Sequence, residues 1–314
     1  MEQFDIFLNP AANRAASEKA WQKIENGMRS RGIKYNLHKS TSRENMISLV
    51  HDAVSRGSRR LIAAGGDGTL QTLLDALMPR LESEPALIEK IVIGSLGIGT
   101  SNDFHKPFTD ERRFEGYPCR LNEEKKSLND VIKVHIVHPD GSNSERYFCQ
   151  SSSIGLIPVT NDLLTQQKGF FNFLYRNIYS IGMPLATLYV LCTYSGFEAR
   201  VKISGETFEG IFSGMTVLKR PHMAGNFVFA TKRSVSDGLV DYALCSKVSA
   251  LRSLNLSVAF QEKGFAGHPE VTFRETDKIS ASFSRPQIVE FDGELSSATE
   301  VHWKVLPKVV SILG

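Results

Sequence analysis

An acid set among glycines, Gly65-Gly66-Asp67-Gly68-Thr69, closes the apolar run Ala63-Ala64 and opens a helical pattern. Glycines there let backbone N–H groups come close to an anion, and the helix terminus that follows favours negative charge. Asp67 cannot hold a phosphate directly, because both are anionic, so it implies a cation or a proton-bearing group between them. No Gly-Lys-Ser/Thr follows, which excludes a Walker A loop. A second run, Gly97-Ile98-Gly99-Thr100-Ser101-Asn102-Asp103-Phe104, also follows a predicted strand and offers flexible backbone with hydroxyl and amide donors. Loops of this kind line the ligand cleft at the carboxyl ends of parallel strands. A third, Val289-Glu290-Phe291-Asp292-Gly293-Glu294, reads as a strand ending in a turn with two carboxylates two residues apart. That pairing suits base or metal chemistry. Alone, the first run also reads as plain strand-to-helix punctuation, and the third is more often a solvated hairpin.

The surrounding pattern says what must position these runs. Strands are predicted at Phe4–Leu8, Lys34–His38, Arg60–Ala64 and Ile91–Gly94, with helices at Ala16–Arg31, Ser42–Arg56 and from the glycine run to about Leu81. Ser42 is placed to cap the second helix, Glu44 sits in its first turn and Gly57 lies just beyond its end. Such alternation argues for a parallel sheet covered by helices. Beyond about Asn129 the texture changes to short β-rich runs: Val131–His138, Arg146–Gln150, Phe208–Leu218, Leu239–Cys245, Lys278–Phe283 and Gln287–Phe291. Turn signals such as Asp140-Gly141, Ser204-Gly205 and Asp292-Gly293 separate several of them. Helical patches at about Phe170–Leu191 and Ser249–Glu262 interrupt a mostly antiparallel second domain, read as a sandwich.

Bulk properties narrow the classes. With 41% apolar and 23% charged residues in 314, the chain can bury a real core. The formal charge of +3 is too small to argue for a nucleic-acid partner. Cys119, Cys149, Cys192 and Cys245 form no CxxC pair, so neither a zinc site nor a disulfide framework is expected. The opening Met-Glu-Gln-Phe carries an acid where a signal peptide carries basic residues, which reads as cytoplasmic. Asn177–Phe197 contains no charge and approaches the length of a membrane span, but Gly182, Pro184 and Gly196 dilute it. It is read as a buried helix leading into a strand, with docking on a bilayer as the alternative.

In this order and spacing, the three runs resemble the catalytic family of diacylglycerol kinases, which includes bacterial soluble diacylglycerol kinases and sphingosine kinases. That pattern runs Asn-Pro, Gly-Gly-Asp-Gly-Thr, Gly-Thr-x-Asn-Asp-Phe, Asp-Gly-x-Leu-Asp and Asp-Gly-Glu. This chain offers Asn9-Pro10, Gly65–Thr69, Gly99–Phe104, Asp237-Gly238-Leu239-Val240-Asp241 and Asp292-Gly293-Glu294, nearly end to end. It departs from the pattern with Gln71 and Thr72 where Asn and Glu are usual, Asn13 for a glycine, and Gly97-Ile98 where a proline precedes Gly-Thr.

The resemblance implies an α/β plus β fold. An amino-terminal domain similar to NAD kinases and phosphofructokinases would span 1–128, completed by terminal strands at 301–314, with a β-sandwich lipid-substrate domain at 129–300. ATP phosphates would lie on Gly65, Gly66, Asp67, Gly68, Thr69, Leu70 and Gln71. Asn9, Pro10, Ala11, Ala12, Asn13, Thr41, Thr100, Asn102 and Asp103 would line the nucleotide site. Glu294 matches the general base, with Asp292 beside it. Asp67 matches an acid that organises catalytic Mg2+ through water, although in sphingosine kinases the matching acid is proposed as the base. Asp237, with Ser234 and Leu239, matches a structural magnesium site. The implied activity is transfer of the ATP γ-phosphate to a lipid hydroxyl, foremost diacylglycerol to phosphatidic acid. Alternatives are a sphingoid-base or other lipid-alcohol kinase, or a catalytically silent nucleotide or lipid sensor. The implied partners are ATP and a lipid at a membrane surface, the protein lying peripherally on its inner face, with a homodimer left open.

Overall fold

Why the first half folds as it does is visible in β1, where Ile6 and Leu8 enter one apolar cluster while Phe7 enters another. Residues alternate across a strand, so a run apolar at every position must be covered on both faces. The computed structural model describes residues 3–165, 169–223, 227–231, 233–249, 252–253, 255–256 and 267–314. Its first elements are β1 (Phe4–Leu8), α1 (Ser17–Ser30), β2 (Tyr35–Lys39), α2 (Arg43–Ser55), β3 (Arg60–Gly65), α3 (Asp67–Ser83) and β4 (Val92–Gly97). The strands run parallel in the order β2-β1-β3-β4. Trp21, Ile24 and Met28 of α1 cover one face; α2 and α3 cover the other. The Ser42 hydroxyl accepts the Asn45 amide at 3.1 Å and starts α2, and Gly57 follows the helix at φ +98°.

Two short strands, β5 (Arg113–Phe114) and β6 (Tyr117–Arg120), return the chain along β4. Then come β7 (Ser127–Val137), β8 (Asn143–Phe148), β9 (Ser151–Gly155), α4 (Leu156–Thr165), α5 (Phe170–Asn177), α6 (Tyr179–Thr193), β10 (Phe197–Ile203) and β11 (Glu206–Leu218). The remainder is β12 (His222–Met223), β13 (Phe227–Val228), β14 (Val240–Ser246), β15 (Val271–Thr276), β16 (Lys278–Phe291) and β17 (Glu294–Ile312). These strands pair antiparallel and close on a cluster containing Phe148, Val217, Phe291 and Trp303, whose indole N–H donates to Ser152 Oγ at 3.0 Å. The architecture is an α/β domain followed by a β-sandwich.

One strand joins the two parts. β17 starts at the Asp292-Gly293 turn, runs between β16 and β7, and ends parallel to β4 with Ser311 beside Val92 and Ile312 beside Ile93. A second tie is Asp75 of α3, whose carboxylate meets Arg43 of α2 at 2.7 Å, the Tyr147 amide at 2.8 Å and Arg146 of β8 at 3.2 Å. A buried carboxylate this well met resists removal, because its loss leaves two partly buried guanidinium groups and an amide without their acceptor.

Several expectations shift. Lys278–Phe283 and Gln287–Phe291 are one strand with a register shift between Ser282 and Gln287. β9, α4 and β15 stand where the pattern showed no element, whereas β10 is a strand following the uncharged stretch, as read. The Ser249–Glu262 helix expectation falls largely outside the described residues. The uncharged stretch Asn177–Phe197 is not a buried helix, because Ile181, Leu185, Leu188 and Tyr189 of α6 face outward. No helix among the described residues is long and apolar enough to cross a membrane.

Candidate active site

The parallel register brings the ends of β1, β2, β3 and β4 to one edge, with Leu8 beside Lys39 and Ala64, and Gly65 beside Gly97. Asn9, Thr41, Gly66 and Ile98 therefore begin loops on the same rim. Two of these loops touch backbone to backbone. A Cβ on Gly99 would lie 2.3 Å from the Gly66 Cα, a contact closed to any side chain. Gly65 is equally confined, since a Cβ there would meet the Thr69 hydroxyl at 2.1 Å. Asn102, in the left-handed region at φ 49°, folds its amide back on Gly99 at 3.0 and 3.1 Å.

Asp67 joins the two loops. Its Oδ2 accepts the Asp103 amide and its Oδ1 the Phe104 amide, both at 3.0 Å, while Gln150 Nε2 donates to Oδ1 at 3.3 Å. Burial and the nearby Asp103 carboxylate push the Asp67 carboxyl above the usual range. Phe104 is held in turn, its ring 4.7 Å from both the Arg120 and Arg220 guanidinium groups.

The sandwich supplies three more carboxylates. Asp292 and Gly293 both take positive φ, the two-residue turn that an Asp-Gly pair favours, and Phe291 pairs with Glu294 across it. Asp292 is buried, accepting the Ser151 amide at 3.0 Å and the Cys149 amide at 3.3 Å. Burial pushes its carboxyl up to about 8. Glu290, paired across β9 with Ser153 and accepting its hydroxyl at 2.8 Å, is pushed by burial to about 7. Glu294 differs from both. It is half-exposed, has no hydrogen-bond partner among the described residues, and sets Oε1 3.4 Å from where a Cβ on Gly68 would lie.

The rim places Asn9, Thr69, Asn102 and Asp103 beside the start of α3, with Pro10, Ala11, Ala12 and Asn13 continuing the loop after β1, Thr100 in the loop after β4, and Thr41 farther along, after β2, where its amide donates to Asn45 of α2. Asn9 Nδ2 reaches Thr69 Oγ1 at 3.3 Å, and Thr100 Oγ1 reaches Asn13 Oδ1 at 3.4 Å. Leu70 and Gln71 instead turn inward, fully buried, and both polar atoms of the Gln71 amide lack a partner among the described residues. Ser234, Asp237 and Leu239 come together away from this rim, around the ammonium of Lys219. Sequence reasoning missed Gln150, Arg220 and Glu290. Glu290 carried a signal, because acids at 290, 292 and 294 alternate along one strand end, whereas Gln150 and Arg220 carried none.

Comparison with known proteins supports one lineage. Residues 3–134 match the family model described as the diacylglycerol kinase catalytic domain, and residues 171–314 match that of the YegS C-terminal NAD kinase beta sandwich-like domain. The chain is 22% identical over 297 residues to the diacylglycerol kinase of Bacillus subtilis, covering 94% of this chain and 90% of that one. It is 21% identical over 293 residues to the diacylglycerol kinase of Staphylococcus carnosus, covering 92% and 87%. The crystal structure of a diacylglycerol kinase from Bacillus anthracis aligns with a TM-score of 0.65 over 99% of this chain and 96% of that one, at 15% identity.

Two outcomes are expected. Gly99→Ala should force the two loops apart and weaken ATP binding by roughly tenfold or more, measured by calorimetry, with the circular dichroism spectrum retained. Unchanged affinity would show that the Gly66–Gly99 contact is irrelevant to nucleotide. Glu290→Gln should melt higher than the wild type above neutral pH. Glu290 keeps its proton in the folded state up to about 7 while the unfolded chain has ionised, so wild-type stability is lost as pH rises from the ordinary carboxylate range to about 7. The melting difference should be absent below that window, grow across it and then level off.

Proposed function

This chain is a lipid kinase of the diacylglycerol kinase catalytic family, and from that premise we propose that its acceptor is diacylglycerol, which it converts to phosphatidic acid with ATP. One observation carries the mechanism: Glu294, arriving from the sandwich, lies against Gly68 at the opening of α3. A base is thereby presented to the loop where phosphate is expected. The first turn of a helix leaves N–H groups without intrahelical partners, so Gly66, Asp67 and Gly68 offer backbone donors to the phosphate chain. Glu294 accepts the proton of the acceptor hydroxyl. The oxygen attacks the γ-phosphorus, the bridging bond to ADP breaks, and ADP leaves with that electron pair. Little covalent chemistry is asked of the protein beyond alignment and charge stabilisation. A magnesium ion carried with the nucleotide would neutralise phosphate oxygens, and Asp67, whose oxygens already accept backbone amides, would hold it through water. Asp292, buried and doubly bonded to the β9 backbone, shapes the turn that aims Glu294.

Access for a lipid is supported by α4–α6. They grow directly from β9, the strand bonded to Asp292 and Glu290. Asn172 pins α5 to the Leu164 carbonyl at 2.7 Å, and Gly182 of α6 lets the two helices meet at the Tyr175 backbone. Their outward faces carry Phe170 and Phe173, 66% and 63% exposed, with Ile181, Leu185 and Leu188. Large apolar side chains exposed together in this way mark an interaction site, and they suit the interfacial region of a bilayer. We read it as the face that rests on the membrane while the acceptor hydroxyl reaches Glu294.

Glu294→Gln should lower turnover on diacylglycerol by roughly 10²–10⁴-fold, with ATP affinity and melting temperature close to wild type. Near-normal turnover in radiolabelled-ATP assays would transfer the base to Asp67 or Asp292. In the same assay, phosphorylation of sphingoid bases in preference to diacylglycerol would reassign the acceptor. Phe173→Asp combined with Leu188→Asp should reduce sedimentation with phosphatidylglycerol-containing vesicles and raise KM for the lipid, leaving ATP affinity unchanged. Equal partitioning of variant and wild type would remove α5–α6 from the membrane face.

A further inference from the structure

Lys219 is a lysine with 1% of its side chain exposed, in a chain where every other buried cation named above is an arginine. It follows β11, and its backbone N–H, with that of Arg220, donates to the Gln150 carbonyl at 2.7 and 3.2 Å. Its ammonium meets three oxygens: Asp130 Oδ2 at 2.6 Å, Asp237 Oδ1 at 2.7 Å and the Leu239 carbonyl at 2.8 Å. An ammonium has three hydrogens, so the site is saturated.

The acceptors are equally committed. Asp130 also takes the Gly238 amide at 2.7 Å and the Lys308 amide at 2.9 Å. Asp237 takes the Ser234 amide at 3.1 Å and the Leu239 amide at 3.2 Å, and Arg233 approaches it at 3.5 Å. Arg233 is shared with Asp241 at 3.4 Å and Glu275 at 2.8 Å, so Lys219 is the cation seated directly on Asp130 and Asp237. Two of the three positions that the family resemblance assigned to a structural magnesium, Asp237 and Leu239, give their oxygens to Lys219; the third, Ser234, donates its amide to Asp237. Magnesium demands a near-octahedral shell of oxygens at about 2.0–2.1 Å and is slow to shed its water. An ammonium seated on the same oxygens leaves no such shell, and two cations sharing them would repel each other. These residues do not fit a bound dication.

We propose that Lys219 is a built-in structural cation, replacing the magnesium ion that the family resemblance implies between β7, β11 and the 233–239 turn. The ammonium ties β7 to that turn and, through the Asp130 carboxylate, to the Lys308 backbone of β17. The connection to the active site is short. Gln150, whose carbonyl anchors Lys219, donates its side chain to Asp67, and the next residue, Arg220, stacks on Phe104. The divalent requirement of this enzyme then reduces to the ion that accompanies ATP, and the inference holds whichever lipid is the acceptor.

The test uses the full chain without nucleotide. Titration of the wild type with MgCl2 or MnCl2 in a calorimeter should give no saturable binding, and its melting temperature should be the same in EDTA and in millimolar Mg2+. Lys219→Ala, which leaves two carboxylates and a carbonyl around a vacated space, should melt lower in EDTA and recover saturably with Mn2+ or Mg2+. It should bind Mn2+ saturably and one-to-one in the calorimeter, where the wild type shows no saturation. Lys219→Met, which keeps the apolar stem and fills the space, should melt lower and stay low. Saturable one-to-one binding of either ion to the wild type, abolished by Asp237→Asn, would overturn the proposal. So would a folded Lys219→Ala protein whose melting is indifferent to both ions. If Lys219→Ala does not fold, the wild-type titration alone decides.

Discussion

The carboxylate of Asp67 accepting the Asp103 and Phe104 amides is the contact on which the rest of the site depends. It stands at the amino end of α3, where the helix dipole favours an anion, and it reaches across to the loop after β4. That reach needs the two loops to touch, and they touch because Gly66 and Gly99 have no side chains. Neither glycine run would be rigid alone. Bound to each other through Asp67, they present one continuous rim at the ends of four parallel strands. The acid that looked misplaced in a phosphate loop is consistent with this: its first partner is protein backbone.

The second constraint is the meeting of two domains that share a strand. β17 carries the Asp292-Gly293 turn at one end and completes the parallel sheet at the other, so Glu294 and the Gly65–Thr69 loop belong to one hydrogen-bonded framework. Ties such as Asp75 with Arg43 and Arg146, and Gln150 with Asp67, hold the interface in register. The turn is held by its own buried acid, Asp292, which accepts the Ser151 and Cys149 amides, so the point at which β17 begins is set by the sandwich backbone.

The buried polar groups divide by how they are satisfied. Asp292 and Glu290 sit in apolar surroundings with few donors, and burial raises their pKa values to about 8 and 7. Asp130 and Lys219 are as deeply buried but answer each other's charge at 2.6 Å. The first pair keeps protons available beside the site. The second joins β7 to the residue after β11 by a buried ion pair.

What the sequence determined by itself was everything governed by local backbone demand. The glycine spacing of Gly65–Thr69 and Gly97–Phe104, the Ser42 cap, the Asp292-Gly293 turn and the alternation of strands and helices through β4 all express φ/ψ limits or side-chain period within a few residues. Those features singled out Asp67, Glu294 and the loops after β1, β3 and β4, and the fold brings Asp67 to the loop after β4 and Glu294 to Gly68. Only the tertiary structure decided that Gln150 would reach Asp67, that Arg220 would clamp Phe104, and that Lys219 would hold Asp130 and Asp237. It also decided that α6 would turn Leu185 and Leu188 outward and that Gln71 would be buried. Each of these depends on strand register or helix rotation linking residues far apart in sequence. A shift of one residue would exchange the faces, and no local pattern records which face a distant partner occupies.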